Sequence, residues 1–164
     1  MNSPEPINDR PADLDAPGRL LALDLGSKRV GVAISDELRI TTKPLPFIPR
    51  RSWKDLLRQV AAIVETYDAR GVVIGLPLNM NGTASAAAAE TKRLAENFRR
   101  SLNVPVFLQD ERLTTVAAGA ALKSERLGND EVDERIDSES AAIILRDFMA
   151  EQHHPEGVKE NSQG

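Results

Sequence analysis

The chain has 164 residues, enough for one ordinary domain, and its hydrophobic residues, 41% of the total, can support one sizeable core. It has no cysteine, which excludes disulfides, zinc–thiolate sites and thiol nucleophiles and fits a reducing cytoplasm. No apolar run approaches the roughly 20 residues that span a bilayer, and the N-terminus lacks the layout of a signal peptide. We therefore expect a soluble, cytoplasmic protein.

The formal net charge of −4 is concentrated at the two ends of the chain. Residues 1–18 carry −3 and residues 151–164 carry −2, which leaves +1 for residues 19–150. Proline and acidic residues dominate the first segment, so we expect a disordered leader over 1–18, one domain over 19–152 and a disordered tail over 153–164. The near-neutral middle permits a nucleic-acid partner without demanding one.

The first half of the chain predicts a hairpin followed by an edge strand and a helix. Residues 20–25 and 30–34 are apolar runs separated by a four-residue turn, which is typical of a β-hairpin. Residues 40–48 predict a third strand, at a sheet edge because Pro44 and Pro46 interrupt it. Ser52 then caps a helix whose apolar residues recur at helical spacing up to Tyr67.

The second half predicts alternating strands and helices. Residues 71–76 and 104–108 are short apolar runs typical of buried strands. Between them we expect an Ala-rich helix with its apolar stripe at Ala88, Thr91, Leu94, Ala95 and Phe98. Further helices are expected from Thr114 or Thr115 to near Gly128, and from about Asp137 to Ala150. Antiparallel strands followed by βα units predict an α/β fold with a mixed central sheet flanked by helices.

Carboxylates fall at the ends of two of these strands. Asp24 is next to last in an apolar strand, where its burial costs several kcal/mol unless a cation or strong donors offset it; an Asx turn closed by Gly26 explains it equally well. Asp110 and Glu111 follow the strand 104–108, where α/β sheets place their sites. Alternation directs these two to opposite faces, so only one can share a metal with Asp24; a solvated turn neutralised by Arg112 is the alternative.

A further carboxylate lies at the predicted start of the last helix. Counting back by four from Ala141 puts Asp137 on the stripe that faces the sheet. A helix N-cap explains an aspartate there at least as well. Three carboxylates brought together from two strands and a helix are what Mg²⁺ or Mn²⁺ requires, and a pair of such ions can activate water and stabilise a leaving oxygen. His153 and His154, adjacent in the expected tail, lack ligand spacing.

Four motifs resemble those of the YqgF (RuvX) family: LDLGSKRVGVAISD at 23–36, GLPLNMNGT at 75–83, DERLTT at 110–115 and IDS at 136–138. The resemblance implies an RNase H-like fold, related to Holliday-junction resolvases, and a role in maturing the 5′ end of pre-16S rRNA. It implies a catalytic, metal-binding set of Asp24, Glu111 and Asp137, with Asp110 as the substitute for Glu111. One departure is Glu139-Ser140, where the family usually has an apolar residue; we expect Glu139 to face solvent.

Several polar residues beside these motifs are candidates for nucleic-acid binding. Cations next to the proposed metals could hold phosphates, and the loop after residue 77 opens a helix, a natural place for phosphate contact. The candidates are Lys28, Arg29, Asn79, Asn81 and Arg112. Ordinary surface charge and turn chemistry explain them equally well. A second basic group, Arg50, Arg51, Lys54 and Arg58, is better explained as a solvated helix face.

The sequence favours a metal-dependent nuclease acting on structured RNA or branched DNA, as a monomer or a homodimer. A nucleotide-binding domain of the actin and sugar-kinase type also opens with a strand bearing Asp-x-Gly, but such proteins clamp ATP between two domains and this chain has length for one. A non-catalytic adaptor using the same face is the third hypothesis. The sequence does not distinguish ribosomal RNA from branched DNA as the substrate.

Overall fold

A computed structural model describes residues 17–79, 81, 85–111 and 130–153, with only the backbone described for residues 130–137 and 153. The expected leader and tail lie outside these ranges except at their inner ends. The helix expected between Thr114 and Gly128 lies outside them as well. No helix in the described ranges is long and apolar enough to cross a bilayer.

Five strands form one mixed sheet in the order β3-β2-β1-β4-β5. Their bounds are β1 Arg19–Leu25, β2 Arg29–Ser35, β3 Thr42–Pro49, β4 Ala69–Leu76 and β5 Val106–Asp110. The first three strands pair antiparallel, and β1, β4 and β5 run parallel. The carboxyl ends of the three parallel strands therefore share one edge of the sheet, where α/β proteins place their sites.

Helices cover both faces of this sheet. Helix α1 (Trp53–Tyr67) and helix α2 (Ala86–Ser101) pack on the face of Leu21 and Leu23, and Trp53 meets Phe98 edge to face at 4.8 Å. Helix α3 (Asp130–His153) packs on the face of Leu20 and Ala22. Each large apolar side chain buried in these two layers contributes about 1.5–3 kcal/mol to folding.

The predicted elements are largely confirmed. The hairpin and the edge strand β3 are present, and the Ser52 hydroxyl accepts the Asp55 N–H at 3.1 Å as the helix cap. The five predicted stripe residues of α2 are all buried. The fold class is therefore the one expected, an α/β protein with a mixed central sheet.

Several boundaries were predicted wrongly. Strand β3 begins at Thr42 rather than near Ile40, and β4 begins at Ala69 rather than at Gly71. Strand β5 runs from Val106 to Asp110 rather than from 104 to 108, because Pro105 lacks the N–H that would extend the pairing while its carbonyl still accepts the Val72 N–H. Helix α3 begins at Asp130 rather than at Asp137. The acidic run that reads as a charged loop forms its first turns, where negative charge complements the helix dipole.

Candidate functional site: acidic side chains at the carboxyl edge of the sheet

Asp24 lies where β1 approaches the carboxyl edge of the sheet. Side chains alternate along a strand, so Asp24 lies on the same face as Leu20 and Ala22, the face covered by α3. Its partner in β2 is Gly31, and the pairing of Leu23 with Ile74 puts Gly75 beside it in β4. The half-buried Asp24 carboxylate thus has a glycine on either side in the sheet, which leaves room around it.

Glu111 follows β5 directly and lies on this same face. Phe107 packs against α3, and Gln109 donates from Nε2 to Glu151 of α3 at 3.1 Å, so the alternation carries Glu111 to the α3 side. The Glu111 N–H donates to the Leu76 carbonyl at 3.1 Å, which extends the pairing of β4 and β5 by one residue. This hydrogen bond fixes the backbone from which the carboxylate projects.

The Glu111 carboxylate occupies the space above Gly75. A Cβ added at Gly75 would overlap Glu111 Oε2, and it would lie 3.0 Å from the Glu111 carboxyl carbon and 2.6 Å from Ile144 Cδ1 of α3. A Cβ at this position would force the ends of the Glu111 and Ile144 side chains to move, so the glycine lets the carboxylate approach β4 closely. Gly75 therefore positions Glu111 next to Asp24.

The electrostatics of Glu111 reflect this crowding. Burial first, and then the negative charges of Asp24 and Asp110, raise the pKa of Glu111 to about 7. The ionised carboxylate is therefore disfavoured both by its burial and by neighbouring negative charge. A divalent cation bound by oxygen ligands would relieve this repulsion.

Asp110 lies on the other side of β5 from Glu111. It is the last residue of the strand, pairs with Leu76, and lines a cavity at the sheet edge together with residues of both α2 and α3, among them Arg93 and Glu151. Strand alternation puts Glu111 rather than Asp110 on the face of Asp24.

Asp137 belongs to α3, four residues before the buried Ala141, but two turns inside the helix rather than in its first turn. Its side chain lies outside the described residues. Among the side chains that are described, no three acidic or histidine groups come close enough to hold an ion by themselves. Two of the three predicted ligands, Asp24 and Glu111, are close enough for the charge of one to shift the pKa of the other.

The motif around Asp137 is held against β3. Ser138 is buried, and its hydroxyl donates to the Leu45 carbonyl at 2.7 Å. Glu139 faces solvent, as expected, while Ser140 is buried. The departure from the family pattern at Glu139 therefore adds a charge at the surface and not in the core. The hydrogen bond that joins α3 to β3 is made by the preceding residue, Ser138.

The residues predicted to bind nucleic acid differ in their exposure to solvent. Lys28 is exposed in the β1–β2 turn, and Asn79 and Asn81 are exposed in the loop after β4. Arg29 is half-buried with its guanidinium 5.6 Å from the Phe47 ring centre, a cation–π contact that orients it. Arg112 lies outside the described residues.

Sequence reasoning missed two residues that shape the site. Gly75 enters the sequence prediction only as part of a motif, although a glycine inside a strand often marks a close approach. The sequence predicts a solvated helix face for Arg50, yet its Nη1 donates to the Gly26 carbonyl at 3.0 Å in the turn that follows Asp24. No spacing rule connects residues 26 and 50, so this contact had no signal in the sequence.

Comparisons with known proteins agree with this geometry. The family model described as "RuvX: Holliday junction resolvase" matches residues 18–151. A Roseiflexus sp. (strain RS-1) protein named "Putative pre-16S rRNA nuclease" is 37% identical over 136 residues, 83% of this chain and 96% of that protein. A Lactobacillus johnsonii protein of the same name is 42% identical over 135 residues, 80% and 94% of the two chains.

The fold has a counterpart among solved structures. T. thermophilus RuvC in complex with a Holliday junction substrate superposes with a TM-score of 0.53 at 13% identity, covering 82% of this chain and 96% of RuvC. At that identity the likeness concerns the fold, and it confirms the RNase H-like α/β class. Because the family model spans most of the sequence and relatives exceed 30% identity over four-fifths of it, this chain is a member of the RuvX family.

Proposed function

We propose that this protein is a nuclease that hydrolyses phosphodiester bonds in structured nucleic acid, using Mg²⁺ or Mn²⁺ held by Asp24, Glu111 and Asp137. The observation that carries the proposal is the pairing of Asp24 with a Glu111 whose pKa is raised to about 7. Two carboxylates that repel each other at a sheet edge cost stability, and a bound cation is the usual compensation. Membership of the RuvX family supports the same chemistry.

The donor set fits a hard cation. Asp24 and Glu111 offer carboxylate oxygens, which Mg²⁺ and Mn²⁺ prefer, and the chain has no cysteine to attract softer metals. When bound, the cation supplies a water of lowered pKa and stabilisation of the leaving oxygen. Asp137 would complete the set from α3.

The protein's own residues position the carboxylates, exchange a proton and bind the substrate phosphates. Strand β1 holds Asp24 in place, and the Glu111–Leu76 hydrogen bond together with Gly75 sets the position of Glu111. Near neutral pH, Glu111 exchanges a proton readily because its pKa is close to 7, so it can lose that proton when a ligand cation arrives. Our proposal assigns to Lys28 and Arg29 the binding of phosphates that flank the cut.

We propose precursor 16S rRNA, trimmed at its 5′ end in the cytoplasm, as the substrate. The support is the name shared by the Roseiflexus and Lactobacillus relatives, which match this chain over nearly their whole lengths. Branched DNA is the second candidate, favoured by the description of the family model. A junction resolvase needs a two-fold dimer to make paired cuts, whereas an end-trimming nuclease can act as a monomer.

The test is a cleavage assay with end-labelled precursor rRNA and a four-way DNA junction, run with Mg²⁺, with Mn²⁺ and with EDTA. Asp24→Asn should lower cleavage at least a thousandfold while leaving the unfolding midpoint in EDTA the same or higher. Asp68→Asn is the matched control, because Asp68 is exposed at the end of α1 with φ 54°, a conformation that asparagine also adopts. Undiminished cleavage by Asp24→Asn would refute the assignment.

The same assay decides between the substrates. Cleavage of the rRNA precursor at least a hundredfold faster than the junction, by a protein that sediments as a monomer, supports the rRNA assignment. Symmetric paired cuts in the junction by a dimer would replace it with the resolvase function.

A further inference from the structure

We propose that a cleft lined by Arg50, Arg51 and Arg93 binds a backbone phosphodiester of the nucleic acid at a distance from the cut bond. The cleft lies between the start of α1 and the middle of α2 and has a volume of about 160 Å³. It is separate from the carboxylates of Asp24 and Glu111, which lie on the α3 side of the sheet. The inference rests on the proposed function for its ligand.

The charge in the cleft is suited to an anion. Three arginines line it and one acid, Glu90, accompanies them, which leaves a net charge of +2 among the lining residues. Glu90 accepts a hydrogen bond from Arg93 Nη2 at 2.7 Å and lies 3.8 Å from Arg50 Nη2. Arginine presents planar, fork-like donors that match phosphate oxygens, so an entering phosphodiester can take hydrogen bonds from the same groups.

Two of the arginines are also accessible. Arg51 and Arg93 are exposed, and the Arg93–Glu90 ion pair is a surface pair of the kind that contributes little to stability. A phosphate can therefore compete for Arg93 without disturbing the core. The Ser52 cap and the start of α1 lie in the same cleft and add the positive end of a helix dipole.

The cleft is connected to the proposed catalytic edge in two ways. Arg50 donates to the Gly26 carbonyl at 3.0 Å, and its N–H donates to the Lys28 carbonyl at 2.9 Å, so it is anchored to the turn that follows Asp24. Gly26 is two residues from Asp24, at most about 7 Å along the chain. Arg93 also lines the cavity on which Asp110 lies.

These connections define a path for the substrate. A strand that crosses the carboxyl edge of the sheet passes from the carboxylates, over the exposed Lys28, to the arginine cleft on the α1–α2 side. Phosphate contacts of this kind position a nucleic acid without reading its sequence. The cleft would therefore set where the scissile bond falls relative to the carboxylates.

The experiment measures equilibrium binding of a fluorescein-labelled precursor-rRNA fragment in EDTA at several salt concentrations, so that cleavage does not enter. The double variant Arg51→Gln/Arg93→Gln should bind about tenfold more weakly, and the slope of log affinity against log salt should become shallower by about one to two. Arg50 is left intact because it holds the turn. Glu90→Gln, which removes the one acid of the cleft, should bind two- to threefold more tightly.

The matched control is Arg100→Gln, which removes an exposed arginine from the same helix two turns further on, outside the cleft. It should keep wild-type affinity and slope. A double variant with wild-type affinity and slope, or an Arg100→Gln loss as large as that of the double variant, would overturn the proposal.

Two further outcomes distinguish this inference from a site for free phosphate and from the proposed nuclease function. Submillimolar binding of inorganic phosphate by calorimetry, lost in the double variant while RNA binding is unchanged, would overturn it in favour of a free-phosphate site. Binding that depends on the arginines in a protein that never cuts RNA or DNA with Mg²⁺ or Mn²⁺ would support the cleft and refute the nuclease.

Discussion

Replacing Glu111 with glutamine tests the claim that two crowded carboxylates form the site. The folded protein raises the pKa of Glu111 from the ordinary 4.5 to about 7, chiefly by burial and then by the charges of Asp24 and Asp110. An acid whose pKa is raised on folding contributes stability that is fully present below pH 4.5 and is lost as the pH rises through 7. The metal-free protein is therefore destabilised at pH 8 relative to pH 5 by this group.

The magnitude follows from the same shift. A rise from 4.5 to about 7 corresponds to at most about 3 kcal/mol. Solvent reaches part of the carboxylate, so we expect about 1–3 kcal/mol. Glutamine keeps the volume and removes the charge, so Glu111→Gln should be more stable than wild type by this amount at pH 8. At pH 5, where the glutamate of the unfolded chain is already partly ionised, the gain should be smaller, at most about 1 kcal/mol.

The assay is urea unfolding in EDTA at the two pH values, with the difference between wild type and variant cancelling the contributions of groups that do not interact with Glu111. Glu139→Gln is the control, since Glu139 faces solvent on α3, and it should match wild type at both values. Adding Mg²⁺ to one hundred times its Kd should stabilise wild type by about 2.7 kcal/mol, and the same concentration should stabilise Glu111→Gln far less. A variant that is less stable than wild type at pH 8, or a gain that is equal at both pH values, would contradict the reasoning.

Three other outcomes follow from the site and its supports. Gly75→Ala should lower cleavage more than tenfold and reduce the free energy of unfolding by about 1–3 kcal/mol. The control is Gly71→Ala, whose Cβ would lie 3.1 Å from Leu20 and 3.2 Å from Phe107, in a part of the sheet that does not contact the carboxylates. It should lower stability with little change in cleavage per folded molecule. Ser138→Ala should destabilise the fold by about 1–2 kcal/mol in urea unfolding, because the hydrogen bond to the Leu45 carbonyl is buried; an unchanged midpoint would show that the bond contributes nothing. Cleavage at subsaturating Mg²⁺ should fall as the pH drops below about 7, because a protonated Glu111 cannot hold the cation. Raising the Mg²⁺ concentration tenfold at pH 6 should restore the rate. A rate at pH 6 that added Mg²⁺ does not raise would contradict this cause.

Local patterns predicted the parts of this fold in which each residue's role depends on near neighbours. The β1–β2 hairpin and the buried stripe of α2 have the periods of strand and helix. The start of α3 was misjudged because the run beginning at Asp130 carries charge without apolar period, and charge alone does not distinguish a loop from a helix end stabilised by its dipole. Strand β5 was misplaced by two residues because an apolar run was weighed above Pro105.

The sequence alone identifies some of the candidate site residues better than others. Asp24 could be singled out because a carboxylate in an apolar strand is costly. The choice of Glu111 over Asp110 needed the register of β5, which only the folded sheet supplies, since a shift of one residue exchanges the two faces. The role of Asp137 stays a prediction, because its side chain lies outside the described residues.

Gly75 shows why the rest could not be read from the sequence. A glycine in a strand costs conformational entropy and packs nothing, so local rules count it as a weakness. In the folded sheet it lies beside Asp24 and beneath the carboxylate of Glu111, and Ile144 of α3 closes the space above it. A weaker strand and a glutamate that ionises with difficulty therefore occur together, next to the carboxylate of Asp24. Local instability of this kind is expected of a functional site rather than of a structural one, because a packed alanine and a neutral side chain would make the same sheet more stable.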